Sequence, residues 1–354
     1  MVRNLIKRVL FLLLLLVLVL AGILSWFTLR EFNPPVITDL QTGEGKSSVI
    51  GDSLSLVTWN IGYFGLGEEM DFFYEGGKMV RPTKELYLQY RQEALNRIST
   101  FKDADFIMLQ EIDSVAKRSW YDNQLRAIDS VLPGFTGSFG LNYVAWVPIP
   151  LIEPMGKVRA GLSIYSKLVP LSSKRISFES SYEWPMRLFQ LKRCFVEQRY
   201  MTKTGKELVV INTHNSAFDD ATELREKELN TLKELIIEEY RKGNYVIIGG
   251  DWNQNPPHFD TAKVLPHYNP RLIEHGIPDD FIPLDWVYAF DPEHTTNRDV
   301  RTPYKEGITK STLIDFFVLS PNIRLVEVKT IPTGFRETDH QPVTVKVILR
   351  PGQP

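Results

Sequence analysis

A single cysteine, Cys194, is present among the 354 residues, so the chain cannot close an intramolecular disulfide. It lies in the strand-like run LKRCFVEQ, where a lone cysteine is more often a small core residue than a nucleophile. The sequence also lacks internal repeats and, apart from one apolar run near its N-terminus, low-complexity segments. With 43% hydrophobic and 24% charged residues, it has the composition of a globular protein.

An excess of basic charge is missing as well. Residues 1–30 hold four basic residues and no acidic ones, which leaves 37 Lys and Arg against 43 Asp and Glu in residues 31–354. A protein that binds duplex nucleic acid usually presents a net basic face, because it must displace counterions from the phosphates. The charge balance therefore disfavours nucleic acid as a partner, although a local basic patch would be compatible with it.

Charge is absent altogether from residues 9–29. As a helix rising about 1.5 Å per residue, this run would span about 31 Å, enough to cross the hydrocarbon core of a bilayer. Arg3, Lys7 and Arg8 precede the run, and basic residues favour the cytoplasmic side of a membrane. The sequence thus predicts a signal anchor over residues 1–30, with a cytoplasmic N-terminus and the rest of the chain on the outer side.

A cleaved signal peptide is the competing interpretation of this segment. Its apolar core is usually about 7–15 residues long, shorter than the 21 uncharged residues here, and no clear A-x-A cleavage site is present. A lipoprotein signal would need a cysteine, and none occurs in this part of the chain. The uncleaved single-pass anchor is therefore the favoured prediction.

The rest of the chain divides into a linker and one domain. Residues 31–52 mix Pro, Gly, Ser and charged residues without apolar periodicity, which predicts a linker. Strand-like runs and amphipathic helical segments follow, among them the long helical segment ATELREKELNTLKELIIEEYRKG and a strand hairpin across MTKTGKE. Because one large α/β unit can accommodate about 300 residues, we predict a single domain over residues 53–350.

Several apolar, strand-like runs in the sequence end at a polar residue. In an α/β sheet, buried strands deliver such side chains to the loops at one rim, where ligands bind. Acids, amides and histidines gathered there would form a centre for a hard metal ion and a phosphate group. Each motif alone is weak evidence, but the ordered set is specific. The motifs are LVTWNIG (Asn60), FIMLQEID (Glu111), VVINTHNSAF (His214), VIIGGDWNQNP (Asp251 and Asn253), IDFFVLS (Asp315) and TDHQPV (Asp339 and His340).

Through these residues the chain resembles the endonuclease/exonuclease/phosphatase superfamily, which includes DNase I, apurinic endonucleases, neutral sphingomyelinases and inositol-polyphosphate 5-phosphatases. The resemblance covers about residues 53–349 and is most specific in GGDWNQNP and TDHQPV. It implies a four-layer α/β sandwich, with two packed mixed sheets flanked by helices, and a phosphoester hydrolase that depends on Mg²⁺, with Mn²⁺ as an alternative. The histidine of NTHNS favours the two-histidine branch of DNase I and the sphingomyelinases, because apurinic endonucleases lack it.

The resemblance implies metal and phosphate ligands among the motif residues. Glu111 would be the metal ligand, since Mg²⁺ prefers one or two carboxylates together with waters and phosphate oxygens. Asn60 would orient the metal shell or the phosphate, and Asp339 would contact the metal or its waters. Asn253 would bind a phosphate oxygen.

Catalytic roles are implied in the same way. His340 would be the general base, because imidazole titrates near neutrality, and Asp315 would fix its tautomer. Asp251 would align or deprotonate the attacking water. His214 would donate a hydrogen bond to the phosphate and protonate the leaving oxygen.

Plainer explanations are available for several of these features. Asn60 and the Gly–Asp–x–Asn segment are also typical of turns. Arg159 could bind a second phosphate or an anionic headgroup, while a solvated rim charge is the simpler interpretation. Two aromatic, Gly- or Pro-rich insertions, residues 62–83 and 141–155, could be satellite core under loops or a wall that faces a membrane.

Three hypotheses for function follow. The first is a membrane-anchored, Mg²⁺-dependent phosphodiesterase that acts by water attack on a membrane-associated lipid phosphodiester, with no obligate protein partner. The second is an extracytoplasmic endonuclease or exonuclease, which the acidic charge balance disfavours. The third is a catalytically inactive, membrane-tethered binding protein, which the complete set of motif residues disfavours.

Overall fold

The computed structural model describes residues 2–43, 47–179, 181–217, 222–260 and 276–350. Its core consists of two mixed sheets. Sheet A has the strand order β1-β7-β8-β9-β10-β14-β11, and β2 pairs with β8. These strands are β1 (Ile37–Asp39), β2 (Val49–Ile50), β7 (Ser172–Ser177), β8 (Cys194–Thr202), β9 (Glu207–His214), β10 (Tyr245–Asp251), β11 (Val287–Ala289) and β14 (Asp315–Leu319).

Sheet B has the order β15-β16-β3-β4-β6-β5, and a two-stranded ribbon pairs β12 with β13. Four α-helices and three short 3₁₀ helices complete the described elements, the latter at Gly62–Phe64, Phe73–Glu75 and Met186–Leu188. The strands are β3 (Ser53–Asn60), β4 (Phe106–Asp113), β5 (Thr136–Val147), β6 (Gly156–Ser166), β12 (Asn297–Arg298), β13 (Ser311–Thr312), β15 (Ile323–Thr330) and β16 (Val343–Leu349), and the α-helices are α1 (Val2–Leu29), α2 (Lys84–Ser99), α3 (Gln124–Val131) and α4 (Thr222–Arg241).

Alternation along the strands creates the layers. In β3, Leu56 points between the two sheets, where it shares a cluster with Val210 and Ile247 of sheet A. Its neighbour Val57 points outward into a cluster with residues of α2 and α3. The outer face of sheet A packs in the same manner, where residues such as Val209 cluster with the apolar face of α4. The predicted four-layer α/β sandwich is therefore confirmed.

Local signals define the helix ends and one hairpin. The Thr83 side chain caps α2 by accepting a hydrogen bond from the Leu86 amide at 3.3 Å. Asn123 caps α3 in the same way through the Arg126 amide at 3.2 Å. The hairpin predicted across MTKTGKE is present as antiparallel β8 and β9.

The segment predicted as a linker is not a free tether in its described part. β1 pairs with β7 at the edge of sheet A, and β2 pairs in parallel with β8. Residues 44–46, which belong to the same prediction, lie outside the described residues. The sequence did not predict this pairing because β1 and β2 are only three and two residues long, too short to show apolar periodicity.

No residue of helix α1 is buried, and it is the one helix in the described ranges that is long and apolar enough to cross a membrane. A signal sequence meets the same test of length and composition. Its C-terminal end packs on the domain. The Phe27 ring lies 5.1 Å from that of Phe189, Trp184 Nε1 donates to Thr28 Oγ1 at 3.1 Å, and the Glu31 carboxylate pairs with a lysine at 2.6 Å.

Strand directions gather the motif residues at one rim. β3 runs parallel to β4, and β9 runs parallel to β10, so four strands end there. β14 is antiparallel to β10, and β16 is antiparallel to β3, so these two strands begin at the same rim. A direct hydrogen bond between the last residue of β3 and the last residue of β10 joins the ends of the two sheets.

Candidate active site

The centre of the site is a hydrogen-bonded set of one amide and two carboxylates. Asn60 Nδ2 donates to Asp251 Oδ2 at 2.9 Å and to Glu111 Oε1 at 3.3 Å. The Asn60 Oδ1 accepts from the Gly62 amide at 3.0 Å, which fixes the orientation of the amide. In this arrangement Asn60 holds the two acids together, and its role toward a metal ion or phosphate stays a prediction.

Glu111 is directed into the site by an irregular strand. Its φ is +56°, in the left-handed region that non-glycine residues avoid at a cost of roughly 1–2 kcal/mol. The pairing of β4 with β6 shifts register at this point, between Leu109 and Ile112. Bulges of this kind re-aim a side chain next to a functional site, and strain is retained where the site requires it.

Asp251 is the last residue of β10 and depends on the glycine before it. Gly250 has a φ of +152°, and a Cβ at this position would lie 2.0 Å from the Thr213 carbonyl oxygen. A side chain would therefore separate β10 from β9, so only glycine allows this close approach. The two strands consequently present Asp251 and His214 side by side.

His214 is buried, and its surroundings favour the neutral imidazole. Its Nε2 lies 3.4 Å from Asp251 Oδ2 and 3.9 Å from Glu111 Oε1. Burial, reinforced by the positive charge of Arg193, holds the pKa of His214 well below its usual value. Its Nδ1 has no hydrogen-bond partner although it is buried, an arrangement that is costly outside a functional site.

His340 and Asp315 form a buried pair. His340 Nδ1 lies 2.8 Å from Asp315 Oδ2, while His340 Nε2 lies 3.7 Å from Asp251 Oδ2. Burial lowers the pKa of His340, but the charges of Asp315, Asp251 and Asp339 outweigh it and raise the pKa well above its usual value. With Nδ1–H donating to Asp315, the Nε2 atom is the one that faces the site.

The other two predicted residues lie at the edges of this cluster. Asn253 has a φ of +53°; its amide donates to Asp251 Oδ1 at 2.9 Å, and its Nδ2 donates to the Asn215 carbonyl at 2.8 Å. Asp339 Oδ1 accepts from Thr338 Oγ1 at 3.0 Å. The charge of Asp339 raises the pKa of both Glu111 and His340, so it faces the same space. The structure thus brings all eight predicted residues together, and their roles remain predictions.

The electrostatics of the cluster fit a divalent cation. Burial raises the pKa of Glu111, and burial together with the charge of Asp315 raises the pKa of Asp251 to about 7. Buried carboxylates that repel one another are stabilised when a cation neutralises them. Ligand atoms of Asp251, Asp315 and His340 lie within 4.8 Å of one another, but His340 and Asp315 bind each other, which leaves Glu111, beside Asp251, as the acid for a cation. The oxygen-rich donor set suits Mg²⁺ or Mn²⁺.

The sequence did not reveal Asn297, which pairs with His340. Its Nδ2 lies 3.0 Å from His340 Nε2, and the two residues also form an isolated backbone bridge. Asn297 belongs to the two-residue strand β12, with no apolar run before it, so no local pattern marks it. The bridge explains how the loop before β16 holds the imidazole in place.

A second missed feature is a buried ion pair behind Glu111. Arg118 binds Asp113 through two hydrogen bonds, at 3.0 and 3.1 Å, and its guanidinium lies 3.8 Å from the centre of the Tyr63 ring. The charge of Arg118 acts to lower the pKa of Glu111 against the effect of burial. Arg159, in contrast, is exposed on β6, and its role stays a prediction.

A known family accounts for this arrangement. The profile of the endonuclease/exonuclease/phosphatase family matches residues 57–340. The chain belongs to this family. It is accordingly a hydrolase that acts on phosphoester bonds, and enzymes of the family generally use divalent metal ions. Among proteins of curated function, none matches the sequence.

Solved structures show the same fold at low sequence identity. An endonuclease/exonuclease/phosphatase from Beutenbergia cavernae DSM 12333 is 16% identical, with a TM-score of 0.57 over 85% of this chain and 72% of that one. D. rerio TDP2, complexed with a single-strand DNA product, is 14% identical, with a TM-score of 0.51 over 84% of this chain and 99% of that one. The human Nocturnin catalytic domain, with a bound sulfate anion, is 15% identical, with a TM-score of 0.50 over 90% and 100%. The predicted fold and superfamily are confirmed, and the two-histidine branch stays a prediction.

Proposed function

We propose that the protein is a membrane-anchored, Mg²⁺-dependent phosphodiesterase that hydrolyses a lipid phosphodiester. The observation that carries the reaction class is the buried cluster in which Asp251 lies within 3.7 Å of the Nε2 atoms of both His214 and His340. Two imidazoles on either side of one carboxylate provide the groups for taking up one proton and delivering another. A pseudoenzyme would have no need to keep them buried together.

In this proposal Glu111, with Asn60 and Asp339 nearby, would hold a metal ion, and the chemistry that such an ion would supply is stabilisation of the charge that develops on the phosphoryl oxygen. The chain's own groups move the protons. A cation that neutralised Asp251 and Asp339 would offset two of the charges that raise the pKa of His340, so that Nε2 could take up the proton of the attacking water, and Asp315 would stabilise the imidazolium that forms. Asp251, with a pKa of about 7, aligns the same water.

His214 would act on the side of the leaving group. It is neutral at physiological pH, so its ring N–H can donate a hydrogen bond to a phosphate oxygen without adding fixed charge. A bound, negatively charged phosphate would raise the pKa of His214, so that the protonated ring could then pass a proton to the leaving oxygen. Asn253, whose backbone is fixed by Asp251, would hold a non-reacting phosphate oxygen.

The position of α1 supports a substrate in a membrane. The contacts of Phe27, Thr28 and Glu31 with the domain hold the helix end against it, and β1 follows within a few residues. The domain therefore stays at the end of the apolar helix, which raises the effective concentration of substrates borne by the membrane. The excess of acidic over basic residues in residues 31–354 is a further argument against DNA as the substrate.

Hydrolysis by the full chain in liposomes tests the substrate. We expect Mg²⁺-dependent release of headgroups from sphingomyelin or phosphatidylcholine at a rate at least tenfold above that on single-stranded DNA. Asp251→Asn, which keeps the size of the side chain but removes its charge, is the matched inactive control. Faster cleavage of DNA than of every lipid would favour the nuclease hypothesis.

We also propose that α1 spans the membrane once, with a cytoplasmic N-terminus and the catalytic domain outside the cytoplasm. Arg3, Lys7 and Arg8 before the apolar run support this orientation. Alkaline extraction should leave the full chain in the membrane fraction, and protease added to spheroplasts should digest the domain. A soluble product that begins after residue 30 would contradict the anchor, and a protected domain would contradict the orientation.

A further inference from the structure

A group of exposed apolar side chains projects from two loops, and we call it the rim patch. Leu151 is 89% exposed and Ile152 is 100% exposed in the loop between β5 and β6. At this exposure the two aliphatic side chains make almost no contact with the rest of the protein. The surfaces of soluble proteins rarely expose large apolar side chains at adjacent positions in this way. The patch comprises Trp146, Ile149, Leu151, Ile152, Trp184 and Met186, all at least 46% exposed.

The rim patch lies at the same end of the sandwich as the active site. Asp113, two residues after Glu111, pairs with Ala160 of β6, and the β5–β6 ladder continues to the pair Val147–Gly156. From Ala160 to Gly156, four further residues of β6 extend the hairpin about 13 Å beyond the Asp113–Ala160 pair. The loop that carries Leu151 and Ile152 therefore projects past the active-site rim.

The second loop of the rim patch reaches the same end from sheet A. β8 begins at Cys194 and runs antiparallel to β9, which ends at His214. Because Val196 pairs with Asn212, the residues before β8 continue past the strand end that carries His214. Trp184 and Met186 belong to this segment.

The rim patch is also continuous with the end of α1. The Phe27 ring stacks on that of Trp146 at 6.1 Å, and Trp184 Nε1 binds Thr28 Oγ1 at 3.1 Å. Trp26 and Phe27 are in contact at 5.0 Å. Three tryptophans thus surround the point where the apolar helix meets the domain, and tryptophan favours the headgroup zone of a bilayer.

The loop between β5 and β6 is held open by polar contacts behind the patch. Lys117 Nζ donates to the Pro154 carbonyl at 2.8 Å, and Arg81 pairs with Glu153 at 3.3 Å. The Met155 amide donates to the Ile149 carbonyl at 3.1 Å. These contacts fix the backbone and leave the side chains of Leu151 and Ile152 directed away from the domain.

We propose that the rim patch inserts into the headgroup zone of the bilayer that α1 crosses and holds the mouth of the active site at the lipid surface. The proposal rests on the proposed function for the membrane location of α1. The occupant follows from the continuity of the patch with the helix and from its mixture of tryptophan and aliphatic side chains. A lipid phosphodiester would then reach the catalytic groups without leaving the membrane surface.

Site-specific labelling tests the insertion without any need for activity. Cys194 is fully buried, so a cysteine introduced in Leu151→Cys is selectively labelled by an environment-sensitive fluorophore. Leu284→Cys is the matched control, because Leu284 is 97% exposed and precedes β11, whose first residue pairs with Leu319 at the opposite end of β14. In full-length protein in liposomes, nitroxide lipids labelled near the headgroup should quench the fluorophore at 151 several-fold more than that at 284.

Equal lipid quenching at the two positions would overturn the proposal. Protection of position 151 from both lipid nitroxide and aqueous iodide would also overturn it, because it would show that the patch is covered by protein, either a second copy or another partner. Selective lipid quenching at 151 in a protein that hydrolyses no lipid would support docking and reject the proposed substrate. The two proposals therefore fail separately.

A charge placed in the rim patch tests its contribution to hydrolysis. Leu151→Glu should lower the rate on liposome lipid about tenfold and leave the rate on water-soluble bis(4-nitrophenyl) phosphate unchanged. Leu284→Glu, the matched control, should change neither rate. Equal losses on both substrates in Leu151→Glu would mean that the loop supports the catalytic groups rather than the membrane contact, and would contradict the proposal.

Discussion

Replacement of Glu111 by glutamine is expected to lower the rate of phosphodiester hydrolysis about 10²–10³-fold, the cost typical of losing one group that stabilises transition-state charge. The variant should also lose the increase in rate that Mg²⁺ or Mn²⁺ produces in the wild type. Glutamine preserves the size of the side chain and can still accept the hydrogen bond from Asn60 Nδ2. The loss would therefore come from the missing charge and not from altered packing.

Thermal unfolding provides the control for this variant. Burial raises the pKa of Glu111 above its value in the unfolded chain. Ionisation of this acid therefore destabilises the folded protein when the pH is above the pKa that Glu111 has in the unfolded chain. The glutamine variant should thus melt at the same or a higher temperature than the wild type in chelator. Added Mg²⁺ should raise the melting temperature of the wild type alone. A variant that melts lower in chelator, or that keeps its response to Mg²⁺, would contradict the assignment of Glu111 as a metal ligand.

The sequence predicted those parts of the fold and site that lie on long buried strands. β3, β4, β9 and β10 contain seven or eight residues each, enough for an apolar run to be recognised and its end located. Because each run ends at a polar side chain, the common rim could be predicted as well. The layers followed from alternation, as Leu56 and Val57 of β3 illustrate.

The features that the sequence did not predict depend on contacts between distant segments. Asn297 reaches His340 through a bridge that joins a two-residue strand to a loop. The bulge that turns Glu111 inward depends on the pairing of β4 with β6, which no local pattern records. The strands within residues 31–52 form only because β7 and β8 of sheet A offer them partners. Such features follow from tertiary structure, so local propensity cannot reveal them.

The largest coupling in the site is expected between His340 and Asp315. His340→Ala and Asp315→Asn should each lower the rate of hydrolysis on the order of 10³-fold, as the loss of a general base or of its orienting acid does. The double variant should be no slower than His340→Ala, because Asp315 acts through the imidazole that it holds at 2.8 Å. The rates of the four proteins on one substrate at saturating Mg²⁺ give the coupling directly.

A second His–Asp pair in the same chain is the matched control for this cycle. His294 Nδ1 lies 3.0 Å from Asp291 Oδ2, and the histidine is nearly half exposed. Its geometry resembles that of the buried pair. In the described part of the chain, however, no hydrogen bond or ion pair joins the imidazole of His294 to a residue of the active site. His294→Ala should leave the rate within about twofold of the wild type, since an exposed ion pair contributes little. If the fold-reductions in rate of the two single variants multiply in the double variant, His340 and Asp315 act separately. Asp315 would then act on the substrate or the metal directly.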